Sequence, residues 1–183
     1  MYKLLMAVML VTLMACSQVH VTDYNDMKPE LDIEAFFNGK LTAHGVVKDR
    51  SGKVIRHFSA DIAASWEGGV GTLVEDFVFD DGETQQRIWV LTPTGNGNFT
   101  GTAGDVVGAG KLQQAGNSLF LDYVLRLAYK DGEIDVHVDD RMYLVSPDVL
   151  INESVLNKFG FRVGSLLLVI TREGAEMRRN TER

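Results

Sequence analysis

The sequence predicts an all-β domain: an antiparallel sheet rolled into a barrel of about eight or nine strands. Three observations carry this. Apolar residues recur at every second position in several stretches, the period of a strand with one wet face. Turn signals containing glycine or aspartate separate those stretches. The stretches follow one another as hairpins, and an antiparallel sheet of that length tends to curl until its edges meet.

The plan is set by FNGKLTAHGVVKDRSGKVIRHF, Phe37 to Phe58. Leu41, Ala43, Gly45 and Val47 fall on odd positions. Val54, Phe58, Ala60, Ile62, Ala64 and Trp66 fall on even ones. Matching these faces predicts Val47 opposite Val54 and Ala43 opposite Phe58. The loop is then Asp49-Arg50-Ser51-Gly52, with Gly52 left-handed. Thr72–Asp80 and Thr84–Thr92 pair around Asp81-Gly82, which would set Asp76 opposite Arg87 and Val74 opposite Trp89. A three-residue turn would break both pairs, and the face taken by Glu75 depends on which turn forms.

Phe99–Lys111, FTGTAGDVVGAGK, is glycine-rich but lacks the Gly-Lys-Ser/Thr of a phosphate loop. Gly95 and Gly97 have no third glycine at dinucleotide spacing. The segment reads as a kinked strand at a barrel bend. Ser118–Tyr129 and Glu133–Val145 pair around Asp131-Gly132. That register joins Leu127 to Val136, Leu125 to Val138, Tyr123 to Asp140, Leu121 to Met142 and Leu119 to Leu144 on one apolar face. On the other face Arg126 meets His137 and Asp122 meets Arg141.

Ser146–Gly160 reads as a helix capped by Ser146 with Pro147 at its first position, or as a strand over Val149–Leu156; the strand is favoured. Phe161–Thr171 alternates Leu166, Leu168 and Ile170 with Leu167 and Val169, so it is buried twice or faces a membrane or partner. Ahead of the barrel, Leu31, Ala35 and Phe36 have helical spacing. They form a turn of helix plugging one end or an irregular lead-in. The barrel domain spans residues 31–172, after a polar tether over 16–30 and before a charged tail over 173–183.

The N-terminus reads as an export signal over residues 1–15. Lys3 supplies the positive charge, and Leu4–Met14 is an apolar run too short to span a bilayer. Leu13-Met14-Ala15-Cys16 resembles a bacterial lipobox, which makes Cys16 the expected lipidation site. The alternative is an ordinary signal peptide with a chance cysteine. Ser17 in place of an aspartate implies the outer membrane, on its periplasmic face. Cys16 is the sole cysteine, so no intrachain disulfide can form. A net charge of −7 makes the chain a poor candidate for nucleic acid. Membrane attachment is expected from acyl chains rather than from a basic surface.

Asp140 lies on an apolar face between Val138 and Met142. An unpartnered buried carboxylate costs on the order of several kcal/mol, so it should be hydrogen-bonded or protonated. Tyr123 and Arg56 are the expected donors. With Leu121, Leu125, Met142, Phe58 and Trp66 as apolar lining, this reads as the polar anchor of a ligand cavity. The alternative is a structural tie between strands. Nothing reads as catalytic or metal-binding: HExxH, a nucleophile elbow and paired cysteines are all missing, and His44, His57 and His137 project outward. Adjacent Asp139 and Asp140 point to opposite faces. No cofactor is expected.

FNGKLTAHGVVKDRSGKVIRHF, FTGTAGDVVGAG, VDDRMYL and NKFGFRVG together resemble a family of uncharacterised proteobacterial lipoproteins, a domain of unknown function, over roughly residues 31–171. Arg141 departs from it by standing where the family has an aromatic residue. The resemblance implies a lipocalin-like barrel, and members of that family are often encoded near enzymes that modify unsaturated fatty-acyl chains, which points toward lipid. The expected function is therefore an outer-membrane lipoprotein holding a lipid or other small apolar ligand. One alternative is a non-enzymatic envelope module that binds a protein partner. Another is an accessory enzyme of fatty-acyl modification, resting on Asp140, Tyr123 and Arg56.

Overall fold

The structure is a computed structural model and describes residues 18–174. The expected signal peptide, Cys16 and the tail beyond residue 174 lie outside the described residues. Ten strands follow in order: β1 (Gly39–Asp49), β2 (Val54–Glu67), β3 (Val70–Phe79), β4 (Thr84–Gly95), β5 (Asn98–Thr102), β6 (Gly110–Ala115), β7 (Ser118–Tyr129), β8 (Gly132–Ser146), β9 (Val149–Lys158) and β10 (Phe161–Arg172). Each pairs antiparallel with its neighbours, and β1 also pairs with β10 from Leu41↔Arg172 to Asp49↔Gly164. The result is a closed barrel without a free edge.

The strand count exceeds the expectation partly because 99–111 is not one kinked strand. It divides into β5, a loop and the start of β6. The loop folds back along β7, where Val106 bridges to Leu125 and the Arg126 amide donates to the Asp105 carbonyl at 2.8 Å. The 146–160 stretch forms β9, the favoured reading.

All three expected hairpin registers move, each for a local reason. In β1–β2, the Asp49 carboxylate accepts from the Ser51 amide at 2.8 Å, the Ser51 hydroxyl at 2.6 Å and the Lys53 amide at 3.1 Å. This draws Lys53 into the turn, with Gly52 at φ +88°. That moves the pairing by one residue, to Lys48↔Val54, and a bulge between Val47 and Lys48 moves it by one more, so Ala43 faces Ala60 rather than Phe58 and Val47 faces Arg56 rather than Val54. In β3–β4 the turn has three residues, Asp80-Asp81-Gly82, closed by Phe79 N–H to Glu83 carbonyl at 2.9 Å. Glu75 now opposes Arg87, and Leu73 opposes Trp89. In β7–β8 the turn is Lys130-Asp131, with Lys130 at φ +53°. Tyr123 therefore pairs with Val138, and Asp140 with Leu121. Outside, that register gives Arg126 a carboxylate partner, Asp135, at 2.8 Å instead of His137. His137 meets Asp122 at 2.8 Å, and Arg141 takes Asp139 at 2.9 Å.

One end is plugged. Asp32 caps the single-turn helix α1 (Ile33–Phe36) by accepting from the Ala35 amide at 3.0 Å. Leu31, Ile33, Phe36 and Phe37 are buried in the barrel core. Trp66 Nε1 donates to the Phe37 carbonyl at 2.7 Å, and the Leu31 amide donates to the Gly116 carbonyl at 2.9 Å. The tether expected over 16–30 is partly folded against the barrel. Val21–Tyr24 form a 3₁₀ turn, and the Tyr24 ring lies 5.7 Å from Phe120 and 5.5 Å from Tyr143. Gly116 is required for this contact, because a Cβ there would sit 1.8 Å from the Tyr24 carbonyl oxygen.

The outer wall is wet. Asp61, Asp76, Asp122 and Glu153 are exposed in mid-strand, where a lipid-facing band would be apolar.

Gly116→Ala should cost about 2 kcal/mol or more, because backbone must move and φ is +52°. Gly52→Ala, also left-handed but with open space around its Cβ, should cost only about 1 kcal/mol. Urea denaturation of the two variants measures the difference.

Candidate functional site

A cavity of about 100 Å³ occupies the middle of the barrel and the half away from the plug. Its apolar wall includes Phe58, Phe77, Trp89, Leu121, Met142 and Leu168. Its polar groups are Glu75, Arg87, Tyr123, Asp140, Asn152 and Ser154. Trp89 and Tyr123 meet edge to face at 5.4 Å and fix each other's rings.

Asp140 is buried on β8. Its Oδ1 accepts from Ser154 Oγ at 2.8 Å and from Asn152 Nδ2, both on β9. Burial pushes its carboxyl up to about 6, against the pull of those two donors and of Arg87. Glu75 has no hydrogen bond to the protein among the described residues, and it lines the cavity. Burial lifts it to about 7; Arg87 opposes the rise, while Asp140 and Asp105 add to it. Tyr123 is held neutral by burial first and by the Asp140 charge second. Its hydroxyl also lacks a protein partner among the described residues.

Arg87 is the cation of this cluster. Its Nε and Nη2 make a two-pronged pair with Asp105, the shortest contact 2.7 Å. Asp105 comes from the β5–β6 loop, so the backbone bonds that hold that loop on β7 also position the ion pair. The pair keeps Arg87 charged against its burial. With Arg87 satisfied by Asp105, Glu75 and Asp140 are left as acceptors, one open and one partly used.

The expected site residues divide. Asp140, Tyr123, Leu121, Met142 and Phe58 all line the cavity. Tyr123 does not hold Asp140: the β7–β8 register sets it opposite Val138, and Asp140 is held from its other neighbour, β9, by Asn152 and Ser154. Leu125 is core but does not line the cavity. Trp66 belongs to the plug. Arg56 does not reach Asp140. It lies at the mouth, bonded to Asp81 at 2.7 Å and Glu83 at 2.8 Å, with its guanidinium 3.7 Å from the Phe79 ring centroid. Arg87, Asp105, Asn152 and Ser154 were not anticipated. Asn152 and Ser154 carry a weak signal in their i, i+2 spacing. Arg87 carried a misleading one, since a two-residue turn would have turned it outward. Among the described residues no group of three or more His, Cys, Asp or Glu could hold a metal ion.

Residues 10–172 match a family described as Protein of unknown function (DUF3833). The chain belongs to this DUF3833 family. The expected membership of a family without assigned activity is thereby borne out, and so is the lipocalin-like barrel. Comparison with curated proteins returns no match. Among solved structures, the S-type phycobiliprotein lyase CPES from Guillardia theta superposes with a TM-score of 0.58 at 13% identity, covering 78% of this chain and 93% of that one. Rv2717c from M. tuberculosis superposes with a TM-score of 0.53 at 13% identity, covering 75% and 92%. At that identity both likenesses speak to the fold of this DUF3833 chain.

The raised carboxyls make stability depend on pH. Between 4.5 and about 7 the folded chain holds a proton on Glu75 that the unfolded chain has released. This contribution is complete below 4.5 and is lost as pH rises through about 7, a swing of at most about 3 kcal/mol. The urea midpoint should therefore fall from about pH 5 to about pH 8. Glu75→Gln should flatten that fall and be the more stable chain at the upper pH.

Proposed function

We propose that this protein is an envelope lipoprotein whose barrel takes up a small molecule with an apolar body, orienting it by hydrogen bonds to Glu75, Tyr123 and Asp140. The observation that carries this reading is the pair of unpartnered polar groups, the Glu75 carboxyl and the Tyr123 hydroxyl, facing one cavity beside Asp140. Buried polar groups are ordinarily satisfied, so a cavity that leaves two unpaired is suited to something that supplies donors and acceptors. About 100 Å³ holds several waters or a short stretch of hydrocarbon. A longer acyl chain needs Met142, Leu166 and Leu168 to turn aside, and methionine does so readily. A ligand that donates hydrogen bonds to the two carboxyls is favoured over an anionic one, because Arg87 is already paired with Asp105.

Anchoring through Cys16 is part of the same proposal and rests on the lipobox. Labelled fatty acid should be incorporated by the wild type and lost in Cys16→Ser.

Native mass spectrometry of gently extracted protein, alone and with added fatty acids or fatty amines, tests the cavity. The wild type should carry a bound small molecule. Ala60→Leu, which grows into the void, should empty it, and Asp140→Asn with Tyr123→Phe should weaken binding about tenfold or more. A wild type that carries nothing and takes up nothing added would end this reading.

A second reading, an envelope module that binds a protein partner, is favoured by the outward row Val46, Leu167 and Val169, which lines a shallow apolar groove across β1 and β10. Crosslinking at Leu167 that recovers no envelope protein would count against it.

A further inference from the structure

The most exposed aromatic side chains lie at the end opposite the plug. Tyr129 ends β7; Phe159, Phe161 and Val163 surround the β9–β10 turn; Val54 and Ile55 open β2. The barrel order sets these three tips side by side, since β8 pairs with β9 and β10 with β1. Phe159 and Phe161 are 87% and 75% exposed.

The β9–β10 turn is built to present a ring. Phe159 and Gly160 have φ of +52° and +79°, the left-handed pair that usually takes Asn-Gly. A bulky residue there is an outlier, and strain of this kind collects where a side chain is needed for function. The ring of Phe159 meets the Lys158 ammonium, 4.9 Å from its centroid. Tyr129 and Lys130 repeat the pattern at 5.2 Å.

The charge of this sector departs from the chain's net −7. Lys48, Arg50 and Lys53 flank the β1–β2 turn, Lys130 the β7–β8 turn, and Lys158 and Arg162 the β9–β10 turn. Against them stand Asp49, whose Oδ1 is used inside its own turn, and Asp131 and Glu133. Lys158 Nζ also donates to the Asp135 carbonyl and Arg162 to Ser165 Oγ, and the next tip along, β3–β4, is acidic, with Asp80, Asp81 and Glu83. No acid occurs between Leu156 and Gly164. Aromatic rings alternating with Lys and Arg on protruding tips match the depth profile of a bilayer interface, with rings at the acyl boundary and cations among the phosphates.

We propose that these three tips are a docking surface for a phospholipid bilayer, entered by Phe159, Phe161 and Tyr129 and held by the neighbouring cations at anionic headgroups. The proposal stands on the rim alone and is independent of what the cavity holds. The side of the unplugged end formed by these three tips would meet the lipid, while the plugged end faces away.

Flotation with vesicles of phosphatidylethanolamine and phosphatidylglycerol tests it. The chain should start at Ser17, so that neither leader nor acyl group contributes. It keeps all ten strands, because the ring closes within Gly39–Arg172. It should float with the vesicles, less so in high salt or on phosphatidylcholine alone. Phe159→Ser with Phe161→Ser should weaken partitioning about tenfold per ring. Arg50→Glu with Lys53→Glu should weaken flotation and reduce its salt dependence. Both sites are exposed, so melting should stay within a few degrees of the parent and confirm folding. Equal flotation of parent and variants, or no flotation at all, would overturn the proposal. So would sedimentation as a dimer that Phe159→Ser dissociates, since the tips would then meet a second copy.

Discussion

The pairing of β1 with β10 is the constraint on which the molecule depends. It turns a chain of hairpins into a ring, so every strand has two neighbours and the backbone groups of both would-be edges are satisfied. Once the ring is closed, alternation sends half of each strand's side chains into a space of set width. Ten strands enclose more volume than their own inward side chains fill. The sequence meets this in two ways. Residues 31–37 are driven into one end as an apolar stopper, and the middle is left partly empty with polar groups around the void.

The void makes the interior electrostatics tolerable. A carboxylate packed against hydrocarbon has little alternative to neutralisation, whereas one facing a cavity can be met by water or ligand. Glu75 and Asp140 are both pushed up by burial, yet their surroundings differ. Asp140 has two side-chain donors from β9, while Glu75 has Arg87 nearby with its hydrogen bonds already committed to Asp105. The same burial that favours their neutral forms makes each a strong acceptor when charged. The cluster therefore joins three elements distant in sequence: β3–β4, the β5–β6 loop and β8–β9.

Much of this was legible in the residues. Period-two alternation identified the strands and their inward faces, and inward faces survive a register shift of two. That is why Phe58, Leu121, Tyr123, Asp140 and Met142 still line one cavity although two hairpins moved by two residues. A shift of one is different. The β3–β4 turn takes three residues, which replaces Asp76 by Glu75 as the partner of Arg87 and puts Glu75 and Arg87 on the same, inward face. The alternation of β3 is too weak to reveal that, since Val74, Val78, Phe77 and Phe79 are apolar on both faces. Arg56 misled for a related reason. Its parity is inward, but it stands so near the strand's start that it can turn to the acids of the β3–β4 tip. The Arg87–Asp105 pair had no sequence signal, because it requires a loop to fold back across β7.

The stopper at residues 31–37 closes one pole of the barrel. Its carbonyls are tied to Trp66 and Gln114, and its apolar side chains are part of the core, so that pole cannot open without dismantling the protein. For the small molecule proposed above, a vessel with one closed pole could not act as a conduit. Such a ligand would leave by the way it came, which suits pick-up and delivery by alternating encounters rather than flow through a bore.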